Sequence, residues 1–165
     1  MLMVQKLLKI SGIGENRLHV AWVSSAEAQR FVDISTDVIA SIKSQERFDA
    51  AMFSTELAAA EETLKTEILR WMVGKEVKLL SRGDVYGRKW EKARFESILD
   101  SVLEREYHKQ LILKAILAGF TSVRAISQKV GLGLKRISYL LADMEKTNMI
   151  EFRGHTDCIP VFAAL

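Results

Sequence analysis

The 165 residues contain one cysteine, one proline and three histidines. A lone Cys158 excludes an internal disulfide framework and any self-contained cysteine-ligated zinc or iron–sulfur site. His19, His108 and His155 are widely scattered along the sequence. Each therefore reads as structural or solvated. There is no Gly-rich phosphate loop, nucleophile elbow or HExxH, so no catalytic centre is predicted. No apolar run approaches the roughly 18 residues of a membrane helix. The opening "MLMVQKLLKISGIGEN" is too short and too lysine-rich for a secretory signal and has no small-residue cleavage site. These absences point to a cytoplasmic chain with no membrane partner.

The charge is unevenly spread. Residues 1–74 hold 8 Lys/Arg against 10 Asp/Glu, whereas residues 75–94, "KEVKLLSRGDVYGRKWEKAR", hold 7 against 3 and residues 122–165 hold 6 against 4. A basic stretch of this kind attracts either nucleic acid or an acidic protein surface. Tyr86 and Trp90 stand among its Lys and Arg, the mixture found at protein interfaces. Lys75, Arg82, Tyr86, Arg88 and Trp90 are therefore candidate interface residues.

The N-terminal third is organised by its glycines and one alternating stretch. "LMVQKLLKI" has helical spacing, and Gly12 and Gly14 stop it. "RLHVAWV", 17–23, alternates with apolar residues on both sides, which predicts a strand covered on both faces. Ser24 and Glu27 stand at capping-box spacing, and Ala28, Phe31, Val32, Val38, Ile39 and Ile42 continue a helix to about Lys43. The result is a helix–strand–helix unit with a single strand and nothing nearby to pair with it. That is the pattern expected of the back half of an α/β domain whose front half is missing or supplied by another chain. Trp22 reads first as a buried strand residue and second as a partner contact.

Further on, residues 49–73 are predicted helical, with Leu57, Leu64, Ile68, Trp71 and Met72 inward and Gly74 as the stop. "KEVKLLSRG" adds another helical turn or two, and "DVYG" is a turn between Gly83 and Gly87. Phe95, Ile98, Leu99, Val102 and Leu103 mark a helix, and Leu111, Ile112, Ala115 and Ile116 mark its continuation or successor. After Gly119, "SVRAISQKV" with a Ser122 cap, Gly131 at a tight turn and "LGLKRISYLLADMEKTN" read as a helix-turn-helix. Leu134, Ile137, Leu140, Leu141 and Met144 are expected inward. "MIEFRG" and "PVFAAL" follow as strands around the short wing "HTDC", with Pro160 at a strand start.

The expected fold is thus α+β and mostly helical. A partial α/β unit (1–48) leads to a helical connecting region (49–104) and a C-terminal winged helix-turn-helix (105–165). If its second helix entered a major groove, Lys135, Arg136, Ser138 and Tyr139 would face bases, with Lys129 and Arg153 near phosphates. Asp143 and Glu145 lie on the same helix, and the wing carries no basic cluster. Surface residues of a protein-docking module would look the same. A DNA-binding transcriptional regulator therefore remains one reading, and a winged-helix assembly factor another.

"RLHVAWVSSAEAQRFVDI" resembles the second half of the delta, or iron–sulfur, subunit of methyl-viologen-reducing hydrogenase. Arg17, Trp22, Val23, Ser24, Glu27 and Phe31 fit that family's pattern, while Ala21, Ser25 and Ala28 depart from it. Longer members continue with a segment similar to residues 69–90, then a winged helix ending much like "PVFAAL". The resemblance implies a subunit passing electrons from a hydrogenase or formate dehydrogenase towards the flavin subunit of a heterodisulfide-reductase-type complex. The family's [2Fe–2S] cluster is held by cysteines in a front half that this sequence does not contain. No cluster ligand carries over, so the iron–sulfur cluster and FAD are expected in partner subunits. Three accounts fit: a small separate chain supplies the cysteine-bearing half, this chain serves as scaffold only, or the sequence is a truncated piece of a longer subunit.

Overall fold

The computed structural model describes residues 2–165, which divide into two compact units, one up to Ser54 and one spanning Thr55–Leu165. Among the described residues the chain is mostly helical, with a small two-stranded antiparallel sheet at its C-terminus.

The first unit contains α1 (Leu2–Ile10) and α2 (Ala28–Lys43). Gly12 and Gly14 both take positive φ just after α1, which ends it where the sequence indicated. Glu15–Arg17 then forms a short 3₁₀ turn. Residues 18–24 carry no regular structure, so the strand predicted for 17–23 does not form. A strand needs a hydrogen-bonded neighbour, and the described residues offer it none. The helix–strand–helix expectation is corrected accordingly to two helices joined by an irregular segment. The capping box is half made. Glu27 accepts a hydrogen bond from the Ser24 backbone N–H at 2.8 Å, but the Ser24 hydroxyl meets Ala26 N–H at 3.4 Å and the helix starts only at Ala28.

Arg17 holds this unit together. Its Nε donates to Ile13 O (3.0 Å), its guanidinium reaches Glu46 O (3.1 Å), and its charge lies 5.1 Å over the Phe48 ring. Phe48 in turn stacks on Phe53. The buried set is nevertheless small: Leu7, Ser11 and Ile13.

The second unit begins with α3 (Ser54–Lys65), which opens at the boundary, and α4 (Glu67–Val77). The single helix predicted over 49–73 is broken at Thr66, whose extended backbone starts α4 while its N–H and hydroxyl both donate to Thr63 O. The break re-aims the apolar stripe. Ala59, Ala60, Leu69 and Met72 are buried, whereas Ile68 and Trp71, expected inward, are exposed. Gly74 does not end the helix. It passes through Gly74 to Val77, widens into a π-type turn over Lys78–Arg82, and stops at Gly83, where φ is +96°.

α5 (Lys92–Leu117) is one unbroken helix of 26 residues that runs through the boundary expected at 104/105. Phe95, Leu99, Leu103 and Tyr107 on it are buried, as are Ile112, Ala115 and Ile116 further along. The latter three form a core with Ile126 of α6 (Val123–Val130), Ile137, Leu140, Leu141 and Met144 of α7 (Leu134–Lys146), and Ile150. Each fully buried aliphatic side chain contributes about 1.5–3 kcal/mol, so this cluster carries a large share of the unit's stability.

Local signals place α6 and α7 as the sequence indicated. The Ser122 hydroxyl accepts from Ala125 N–H at 3.2 Å, and Gly131 closes α6 in the left-handed region. Leu134, expected inward, is half exposed at the start of α7. β1 (Ile150–Thr156) and β2 (Ile159–Ala164) pair in register Ile150↔Ala164 through Thr156↔Ile159, with Arg153 as a bulge between Phe152 and Gly154. The linking turn puts both Asp157 and Cys158 at positive φ, the mirror-image form that matches strand twist. Phe162 N–H donates to Thr121 O (3.0 Å), and Ser122 bridges Val161, so the segment before α6 joins the sheet edge.

Candidate interaction surfaces

The loop after the π-type turn, residues 83–90, is held by its own hydrogen bonds and one close backbone approach. A Cβ on Gly83 would lie 2.9 Å from the carbonyl carbon and oxygen of Gly87, so only glycine fits where the loop crosses itself. Asp84 organises the rest. One carboxylate oxygen accepts from the N–H groups of Tyr86 (2.9 Å) and Arg88 (3.0 Å), and the other from Arg88 Nε (3.1 Å). These bonds hold the Asp84 carboxyl below its usual range, the Arg88 N–H being the main cause. Trp90 N–H donates to Leu79 O at 3.1 Å and anchors the loop's far end.

Of the six residues expected at a protein interface, the structure gathers Tyr86, Arg88 and Trp90 in this loop, with Arg82 just before it. The Arg88 guanidinium lies 4.9 Å over the Tyr86 ring, and that of Arg94 lies 5.0 Å over Trp90. Lys75 is half-buried on α4. Trp22 belongs to the first unit, where it is 87% exposed rather than buried in a strand. Asp84 was not singled out from the sequence, although an Asp opening a turn between two glycines is a readable signal.

The residues named for nucleic acid are exposed, and several are engaged. Arg136 on α7 lies 3.8 Å from Glu104 of α5, and Arg153 lies 3.5 Å from Glu151 on its own strand. Lys129 sits 5.7 Å over the Phe120 ring. Lys135, Ser138 and Tyr139 face solvent. Behind this surface, Glu104 also approaches the buried Nδ1 of His108, at 3.8 Å, an atom with no hydrogen-bond partner. Burial holds His108 below its usual pKa, and Arg136 adds to that while Glu104 opposes it.

A cleft of about 630 Å³ in the second unit was not legible in the sequence. Trp71 of α4 forms part of its wall, with Arg105, Glu106, Lys109 and Gln110 of α5 and Asp143 of α7. Lys109 is buried there between Asp143, at 2.7 Å, and Glu106, at 3.4 Å. Arg105 Nε lies 3.1 Å from the same Glu106 oxygen. The cleft's charges thus neutralise one another, and no nucleophile–base pair stands among them.

Among the described residues there is no group of three or more His, Cys, Asp or Glu positioned for a metal ion, and no helix is long and apolar enough to cross a membrane. Cys158 is exposed in the hairpin turn. An iron–sulfur cluster of the kind the hydrogenase-delta resemblance implies needs several thiolates, and a single cysteine cannot supply them. No protein-family model, curated protein or solved structure matches the chain.

Proposed function

We propose that this chain is a non-catalytic docking or scaffold subunit of a cytoplasmic electron-transfer complex of the heterodisulfide-reductase and hydrogenase type, without an iron–sulfur cluster of its own. The supporting observation is the first unit's surface. α2 has no buried residue, and Phe31, Val32, Ile39 and Ile42 on it are exposed together with Val20 and Trp22. Apolar surface on this scale marks a face meant for protein contact. A self-sufficient regulator would have buried it. In this reading partner subunits hold the cluster and the FAD, and the electron donor is a hydrogenase or formate dehydrogenase. The end of α5 with α6, α7, Thr121–Ser122 and the β1–β2 hairpin is a winged helix used to hold the assembly.

The test is a gentle anoxic purification of the chain from the cells that express it, with iron, flavin and subunit assays of the eluate. Stoichiometric flavin and iron–sulfur subunits are the expected result. Recovery of the chain alone, with neither cofactor and with retention on duplex DNA at low salt, would overturn the proposal.

That second outcome belongs to the regulator reading, which the exposed Lys135, Ser138 and Tyr139 favour. It predicts duplex affinity that falls steeply with salt, because each neutralised phosphate releases a counterion. The pairing of Arg136 with Glu104 and of Arg153 with Glu151 counts against it.

A further inference from the structure

We infer that the loop Gly83–Trp90 is a preformed knob that docks into an acidic, apolar-floored recess on a different protein. The inference names the partner's surface chemistry for the docking role above and rests on that role.

The first argument is rigidity. The Gly83–Gly87 crossing, the Asp84 hydrogen bonds and the Trp90–Leu79 anchor fix the loop backbone before any partner arrives. A loop already in shape loses little conformational freedom on binding, so more of its contact energy appears as affinity.

The second argument is what the loop presents. Val85 is 89% exposed and Tyr86 77% exposed. An apolar tip held out in this way is stable in water only because the loop cannot fold it back, and it fits an apolar recess. Tyr and Arg side by side at its base have the composition of interface hot spots.

The third argument is charge. The stretch 75–94 carries 7 Lys/Arg against 3 Asp/Glu. Asp84, one of the three acids, is largely spent on the loop's own N–H groups and Arg88. Only Nε of Arg88 is bound to Asp84, which leaves the terminal nitrogens for a two-pronged carboxylate contact.

Protein is favoured over nucleic acid by the same details. Single strands bind by stacking bases on open aromatic faces, and here Arg88 and Arg94 already lie over the Tyr86 and Trp90 rings. A phosphate backbone also offers nothing to a nearly fully exposed valine.

The test places a photoreactive phenylalanine derivative at position 85 of the full chain, expressed in its own cells, with the same residue at the exposed Gln128 as control. After irradiation the joined peptides are mapped. The expected result is a join from position 85 to another protein, within a segment rich in Asp and Glu. Its yield should fall about tenfold when Lys89→Glu or Arg88→Glu reverses a charge. The Lys89 variant covers the case in which Arg88→Glu unsettles the loop. A join to nucleic acid, to a second copy of the chain or to a segment without acidic excess would overturn the inference. So would a yield no higher than at position 128. Flavin and iron assays on the same material separate the two proposals. An intact redox complex with position 85 unjoined removes the knob alone. An acidic partner without either cofactor removes the redox assignment alone.

Discussion

Lys109 Nζ on α5 lies 2.7 Å from a carboxylate oxygen of Asp143 on α7, and the lysine side chain is 6% exposed. This pair joins the long helix to the one whose outer face carries Lys135 and Tyr139. Removing either partner strands the other's charge, but unequally. Asp143 keeps access to water, whereas Lys109 would be left with Glu106 at 3.4 Å. Lys109→Ala and Asp143→Ala should each cost about 1–3 kcal/mol, less than a fully buried pair because of that access. A double-mutant cycle in urea should show positive coupling between them. Additive losses would mean that the two charges do not stabilise each other.

Acid should weaken the second unit in two separate ranges. Burial lowers the pKa of His108, so the folded state resists its protonation. Its contribution is complete above the ordinary histidine pKa of about 6.5 and declines as pH falls from there towards the folded value. Asp143 is also lowered, chiefly by its hydrogen bond from Lys109. Its contribution is complete above the ordinary carboxylate pKa of about 4 and is lost as pH falls through the folded value. Melting temperature followed from pH 8 to 3 should therefore drop in two stages. His108→Phe should flatten the upper stage and leave the lower one. An unchanged upper stage in that variant would assign it to another group.

Gly83→Ala should damage the loop without unfolding the helices. The new Cβ meets backbone atoms of Gly87 at 2.9 Å, and the position's φ of +96° is one that alanine resists. A loss of about 1–3 kcal/mol is expected. Chemical shifts should change over residues 79–90 and stay constant in α6 and α7. Binding through position 85 should weaken with them.

The hairpin turn can be improved. Asp157 and Cys158 both hold positive φ, a conformation that costs a side-chain-bearing residue energy and costs glycine none. Cys158→Gly should raise stability by about 0.5–1 kcal/mol. A loss instead would show that the cysteine side chain packs on the sheet.

Signals carried by one or two residues were legible in the sequence. Ser122 caps α6, Gly131 closes it, and "MIEFRG" and "PVFAAL", read as strands around the short wing "HTDC", do pair. The alternation in "RLHVAWV" is clear and yields no strand, because alternation reports only which side chains are apolar, and the ladder depends on a neighbour. The break at Thr66 was hidden for a related reason. Its hydroxyl and N–H turn back to Thr63, a local choice that the surrounding helix formers Ala58–Ala60 and Glu61–Glu62 mask. The candidate surfaces were half visible. Tyr86, Arg88 and Trp90 stood out by composition, whereas the Arg136–Glu104 and Lys109–Asp143 pairs join residues more than thirty positions apart in the chain. Only packing brings such residues together.

α5 has a mechanical consequence. Its 26 residues form a strut about 39 Å long with no proline, no break and no joint. One half is clamped by Phe95, Leu99 and Leu103, and the other by Ile112, Ala115 and Ile116. Neither clamp can let go without loading the other through the same hydrogen-bonded rod. Heat or tension should therefore release residues 55–165 as one block, and a pull at Lys92, beside the knob, should be felt as far as the last turn at Leu117.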